Sequence, residues 1–268
     1  MKRRFLLLLT ALGLMLGVQK SLAQYMTIPD PNFVTWLQNN GYETCMIGNQ
    51  LDTTCPMVLA TTTIACNYNN ISDLTGLEAF DNLIELYCDN NQLTSLPPLP
   101  ASLGSLYCGI NQLTTLPPLP SSLTILDCGY NQLTALPPLP SSLESLWCDH
   151  NQITSLPPLP AVLGSLVIHG NPGISCLPPL AAFTATGSFN VSGTGIGCLP
   201  NVIQHAGYIA AIDTMPICDV INANDCEVGW NILGTVFKDD DSDCSFDTAE
   251  SALKNVKVLV MQGDSVIN

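Results

Sequence analysis

LYCGINQLTTLPPLPSSLTI, residues 106–125, reappears with few changes as LYCDNNQLTSLPPLPASLGS at 86–105, LDCGYNQLTALPPLPSSLES at 126–145 and LWCDHNQITSLPPLPAVLGS at 146–165. The copies align without gaps; a degenerate copy begins at Leu166 and an earlier one surrounds Ile64-Ala65-Cys66. A fixed period of twenty residues means a stack of one repeated unit. In the first-quoted frame, Leu103, Leu106, Cys108, Leu113, Leu116 and Leu119 fall where a coil must point inward. Burying each is worth about 2 kcal/mol, while ordering the backbone costs about 1–2 kcal/mol per residue. A lone coil therefore loses, and only stacking makes it stable.

Written L-x-x-L-x-C-x-x-N-x-L, the unit resembles the leucine-rich-repeat consensus, with Cys in place of the third Leu. The resemblance implies a mainly β solenoid with a parallel sheet on its concave side. The recurring Asn69, Asn91, Asn111, Asn131, Asn151 and Asn171 sit where the chain leaves the strand, and their amides can satisfy backbone groups buried by the turn. The LPPLP segments hold φ near the polyproline value and withhold donors, so the convex side is expected to be polyproline-like extended chain rather than helix.

Cys66, Cys88, Cys108, Cys128 and Cys148 share one inward position. Parallel strands lie about 4.8 Å apart, and parallel Cβ vectors hold the Cβ atoms beyond the usual ~3.8 Å of a disulfide. A linear ladder also does not converge on a metal. These thiols read as small buried hydrophobes. The other seven cysteines flank the repeats, with Cys45 and Cys55, Cys176 and Cys198, and Cys218 and Cys226 as local disulfide candidates. Cys244 has no assigned partner, because spacing does not determine connectivity.

Outward from the repeats, 24–60 reads as an N-terminal cap, 61–175 as the repeats and 176–226 as a C-terminal cap. Asp30-Pro31 opens a short helix with Phe33, Trp36 and Leu37 on one face, ending near Gly41. Leu199 to Ile212 carries Val202, Ile203, Ala206 and Ile209 at roughly helical spacing, which predicts a capping helix. At the start, Lys2, Arg3 and Arg4 precede an apolar run from Phe5 to Val18 and a small-residue site before Gln24, the pattern of a secretory signal peptide over 1–23. That run is shorter than the ~20 residues that span a bilayer. No later segment is a transmembrane candidate.

Beyond the signal only Lys238, Lys254 and Lys257 oppose 22 acidic residues, and Gln24 to Phe237 has no Lys or Arg. This excludes nucleic acid and anionic membrane surfaces as partners of that region, since both require cationic contacts.

Residues 228–268 change character. Counting from Asp239, carboxylates fall at positions one, three, five, nine and twelve (Asp239, Asp241, Asp243, Asp247, Glu250), with the Ser245 carbonyl at seven. That is the oxygen spacing of a calcium loop, although Cys244 stands where an EF-hand has Gly. With β-like flanks, the segment resembles the opening of the calcium-binding B-type (SdrD B-like) repeats of bacterial adhesins. The resemblance implies calcium as a cofactor and a β-sandwich module, here cut short of the roughly 100 residues such sandwiches need.

Alternation along each strand turns two rows to the concave side: Tyr87, Tyr107, Asp127, Trp147 and Val167, then Asp89, Gly109, Gly129, Asp149 and His169. Tyr87, Asp89, Tyr107, Asp127, Trp147, Asp149 and His169 are the candidate ligand-binding residues, for a protein or a glycan. No Ser, His or Cys sits in a catalytic motif and no phosphate-cradling loop is present, so the reading is non-catalytic. His150 and His169 fall on adjacent coils and could share a metal with Asp149, although two imidazoles on a solvent face are far more often surface residues. The signal, the cysteine-bearing caps and the acidic module resemble secreted, surface-displayed repeat proteins of type IX secretion bacteria, implying adhesion. The L-P-x-L-P repeats also resemble Gram-negative effectors of the invasion-plasmid-antigen type, implying substrate recognition. Sequence beyond Asn268 would discriminate the two: further β-sandwich modules imply the adhesin, a helical catalytic domain the effector.

Overall fold

The computed structural model describes residues 24–178 and 187–198, together with the backbone of short strands between 184 and 267. The chain divides into two compact units, Met1–Gly229 and Trp230–Asn268. The predicted signal peptide and the calcium loop lie outside the described residues.

The first unit opens with β1 (Tyr25–Thr27), helix α1 (Pro31–Leu37), β2 (Met46–Ile47), β3 (Gln50–Asp52) and helix α2 (Pro56–Ala60). The three strands form an antiparallel sheet in the order β1-β3-β2, and Cys45 is bonded to Cys55 across it. Helix α1 begins where expected because Asp30 caps it: Oδ1 accepts from the N–H groups of Asn32 (2.8 Å) and Phe33 (2.9 Å), and Pro31 follows at the first helical position. Its apolar face, Phe33, Trp36 and Leu37, is buried. The Trp36 indole donates to the Ala65 carbonyl at 3.2 Å, tying the cap to the first coil.

The coils then place β4 (Thr63–Ala65), β5 (Glu85–Tyr87), β6 (Ser105–Tyr107), β7 (Ile125–Asp127), β8 (Ser145–Trp147) and β9 (Ser165–Val167) in register. Beyond them come β10 (Thr184–Ala185), β11 (Phe189–Asn190), β12 (Gln204–His205) and β13 (Ile209–Ala210). The main sheet is eight-stranded, in the order β13-β11-β9-β8-β7-β6-β5-β4, with every pairing parallel. β10 pairs with β12 in a separate two-stranded parallel sheet. In the second unit, β14 (Val260–Gln262) and β15 (Ser265–Ile267) form an antiparallel hairpin.

Gln204–His205 and Ile209–Ala210 are therefore strand, where spacing predicts helix. Ile209 pairs in register with Phe189, itself paired with Leu166, so this strand extends the main parallel sheet. Along the convex side the LPPLP segments form no helix, as their prolines predict.

The core is a ladder. Leu103, Leu106, Cys108 and Leu113 are fully buried, Leu116 is 9 % exposed and Leu119 is half-buried against them. Cys66, Cys88, Cys108, Cys128 and Cys148 are free thiols with no solvent exposure. Burial drives the Cys66 thiol up to about 12 and the others well above the ordinary thiol value. Thiolate is the reactive form, so these sulfurs are packing groups. Cys176 and Cys198 are disulfide-bonded; Cys218, Cys226 and Cys244 lie outside the described residues.

Each ladder asparagine links two coils. Asn131 accepts from the Leu113 N–H (2.9 Å) and donates to the carbonyls of Cys108 and Cys128 (both 3.1 Å). Asn111 and Asn151 repeat the pattern one coil away on either side. A serine ladder does the same on the convex side: Ser122 Oγ lies 2.8 Å from the Ala101 carbonyl and 2.7 Å from that of Leu103. The serines carry no signal distinguishing them from ordinary turn residues, and sequence reading passes over them.

Candidate functional site

The two predicted concave rows lie side by side because the strands pair in register. Tyr87, Tyr107, Asp127, Trp147 and Val167 are successive partners in the sheet. The Tyr87 and Tyr107 rings stack at 4.7 Å with 4° between their planes. Trp147 is pinned by an indole N–H bond to Ser165 Oγ at 3.1 Å. These aromatics are therefore held rigid on the face.

Aspartates from both rows line an open groove of about 340 Å³. Asp89, Asp127 and Asp149 line it, joined by Tyr68, Ile110 and Tyr130. The last three precede the asparagine turn and belong to a row of left-handed residues, with φ of 60° at Tyr68, 52° at Ile110 and 53° at Tyr130. Strict alternation says nothing of residues beyond the strand, so these wall residues were not legible as part of the face.

The glycines of the second row make room for the carboxylates. Asp89 Oδ1 accepts from the Gly109 N–H at 2.9 Å, and Asp127 Oδ1 from that of Gly129 at 3.1 Å. A Cβ at Gly109 would lie 3.4 Å from the Oδ1 atoms of both Asp89 and Asp127, and one at Gly129 only 2.8 Å from Asp149 Oδ1. A side chain at Gly129 would collide with the Asp149 carboxylate, while one at Gly109 would fill the space between Asp89 and Asp127.

Burial raises the Asp127 carboxyl to about 6; the Gly129 N–H opposes this, while the neighbouring Asp89 and Asp149 add to it. Burial also raises Asp89. A carboxyl whose folded value is raised contributes stability below its unfolded value and loses it as pH rises through its folded value. Ionised Asp127 therefore costs stability at neutral pH. Asp127→Asn keeps the acceptor for Gly129 and removes that cost. It is expected to raise stability by about 1 kcal/mol at pH 7, after solvent screening, with no gain at about pH 4. Urea unfolding at the two pH values measures it; equal effects at both would remove the electrostatic account.

His169 lies beside Asp149, Nε2 to Oδ2 at 3.8 Å. Of the predicted binding residues, Asp89, Asp127 and Asp149 thus share the groove, Tyr87 and Tyr107 form the adjoining stack, and Trp147 and His169 lie toward the C-terminal coils. The expected calcium ligands Asp239, Asp241, Asp243, Ser245, Asp247 and Glu250 lie outside the described residues.

The family model for leucine rich repeats (2 copies) matches residues 62–101. Among solved structures, the Shigella effector LRR domain is 27% identical, over 68% of this chain and 80% of that one, with a TM-score of 0.51. The functional domain of InlJ from Listeria monocytogenes, described as including a cysteine ladder, is 24% identical over 71% of this chain and 45% of that one, with a TM-score of 0.55. YopM from Yersinia enterocolitica WA-314 is 27% identical over 58% of this chain, which spans 40% of YopM, with a TM-score of 0.44. No curated protein matches the sequence. The fold is a leucine-rich-repeat solenoid, the architecture of protein-binding repeat regions. No helix among the described residues is long and apolar enough to cross a membrane.

Proposed function

We propose that the chain is an exported, non-catalytic adhesion protein that binds a basic segment of a partner protein along the concave face. The observation that carries this is the continuous acidic groove of Asp89, Asp127 and Asp149 beside the stacked Tyr87 and Tyr107, in a region without Lys or Arg. Rigid aromatics supply contact area at low entropic cost. An uncompensated acidic groove attracts cationic side chains and repels acidic ones. Calcium at the acidic loop of 239–250 belongs to the same reading, as part of the surface-display module.

Peptide arrays of basic, neutral and acidic sequences test the face. The full chain is expected to select basic peptides, and Tyr107→Ala with Trp147→Ala to lower that binding at least about tenfold, as central aromatic anchors do. Selection without charge preference, or full retention by the double variant, would move the site elsewhere. The likeness to the Shigella effector LRR domain supports a second reading, substrate recognition in an effector. Protease shaving of intact cells separates the two, since a displayed adhesin is cleaved and an injected effector is not.

A further inference from the structure

Asp149, His150 and His169 offer one donor atom each, all within 4.8 Å of one another. From this convergence we infer a binding site for a divalent first-row transition ion of the zinc class at the C-terminal end of the concave face. It does not depend on peptide binding.

The three donors come from two adjacent coils. Asp149 and His169 occupy the same row beyond β8 and β9, and His150 follows Asp149 at a left-handed position, φ 49°. That backbone conformation turns the imidazole along the solenoid, toward the next coil. In the next coil the same position is Gly170, also left-handed at φ 70°. A Cβ at Gly170 would lie 2.7 Å from His150 Nδ1, so the ring can lie across this backbone only because the residue is glycine. From the other side, Tyr130 stacks on His150 with ring centroids 4.2 Å apart. His150 in turn meets His169 edge-on, with centroids 4.8 Å apart. The first imidazole is thus held between a tyrosine and the second imidazole.

The second imidazole presents Nε2 to the acid, 3.8 Å from the Asp149 carboxylate, so Nε2 is its donor toward a shared ion. Two imidazoles and one carboxylate are the donor set of open zinc sites, with bonds of about 2.1 Å and donors about 3.4 Å apart. The His169–Asp149 pair is already near that spacing. Closing the remaining distances requires shifts of about 1 Å to reach such bond lengths, within reach of the exposed His150 ring. With three protein donors, the fourth position faces solvent and can accept water or a donor from a bound partner.

Imidazole excludes calcium and magnesium as the preferred ions and favours zinc, copper and nickel. The five ladder thiols compete poorly, being fully buried. Titrating the full chain with Zn²⁺ by calorimetry, alongside His150→Ala, His169→Gln and Asp149→Asn, decides the matter. Wild type is expected to bind one ion at this site, with each variant weakening it at least about tenfold, the lower end of what even an outer-shell partner contributes. Long-range imidazole nitrogen spectra should show both rings shifting with the added ion, and circular dichroism should report an unchanged fold in the variants. Absence of saturable binding would overturn the site. So would equal affinity in all three variants, or binding abolished by thiol alkylation but not by loss of the histidines.

Discussion

Asn131→Ala is expected to destabilise the solenoid by about 2–3 kcal/mol, a sizeable fraction of the roughly 5–15 kcal/mol that holds a typical domain together. Alanine leaves the Leu113 N–H without its partner and takes one of two amide donors from each of the Cys108 and Cys128 carbonyls, which keep Asn111 and Asn151, all in the wall between two coils. Asn131 is 9 % exposed, so water reaches the gap poorly. Each buried polar group left unpaired costs about 1–3 kcal/mol. Asparagine is needed because one side chain must both accept and donate; Asn131→Asp loses the donor and sets a charge against two carbonyls, so it is expected to be no better. In a solenoid each coil is stabilised by its neighbours, so the damage spreads to the coils on both sides and broadens the transition. Urea unfolding with hydrogen exchange measures both effects. Gln132→Ala, at an exposed position in the same turn, is the control and is expected to change stability by less than about 0.5 kcal/mol. A loss below about 1 kcal/mol for Asn131→Ala, less than one unpaired buried group should cost, would mean that the asparagine ladder is not a structural device.

Asn131 was legible because its role repeats. Four near-identical copies make every inward leucine, every ladder cysteine and every asparagine visible several times, and the period alone settles which positions face one another across coils. The concave rows follow from alternation for the same reason: Tyr87 and Tyr107 could be placed together before their stacking distance was known. Legibility ends where the period weakens. At 199–212 the twenty-residue motif is no longer recognisable, and Val202, Ile203, Ala206 and Ile209 satisfy a helical spacing. The strand at Ile209 emerges only from its pairing with Phe189. The groove wall was hidden for a different reason. Tyr68, Ile110, Tyr130 and His150 take left-handed conformations that the repeat imposes on whatever residue stands there, and among the equivalents Asn90 and Gly170 alone advertise it. The meeting of His150 with Asp149 and His169 depends on that backbone turn and on Gly170, neither of which spacing reveals.

Asp30→Ala is expected to cost about 3–4 kcal/mol and to loosen the N-terminal cap from the first coil. One carboxylate does two tasks. Oδ1 caps helix α1 through Asn32 and Phe33, a contribution of about 1 kcal/mol. Oδ2 accepts from the Ser72 N–H and hydroxyl, both at 2.7 Å, and from the Asp73 N–H at 3.2 Å, across the junction with the repeats. Bonds to a charged acceptor are worth about 1.5–3 kcal/mol each, with less than additive effect when they share one group. Burial alone would raise this carboxyl, but the hydrogen bonds from the Ser72 side chain and from the backbones of Ser72, Phe33 and Asn32 outweigh it, and the net shift is downward. The sign is opposite to that of Asp127. Stability from Asp30 is complete above the unfolded value of 3.8 and is lost as pH falls through the lower folded value. Asp127 instead relieves its cost as pH falls through about 6. Between these two limits the protein is expected to gain stability on mild acidification and to lose it only in stronger acid, with cap detachment first. Measured from about pH 7 to about pH 2, a window that spans both transitions, the wild type should pass through a maximum. Asp30→Ala should start lower and lack the steep acid limb, because protonation has nothing left to remove. A parallel acid limb in the variant would show that the junction is held by other groups, with the buried Trp36 indole bond to Ala65 the next to test.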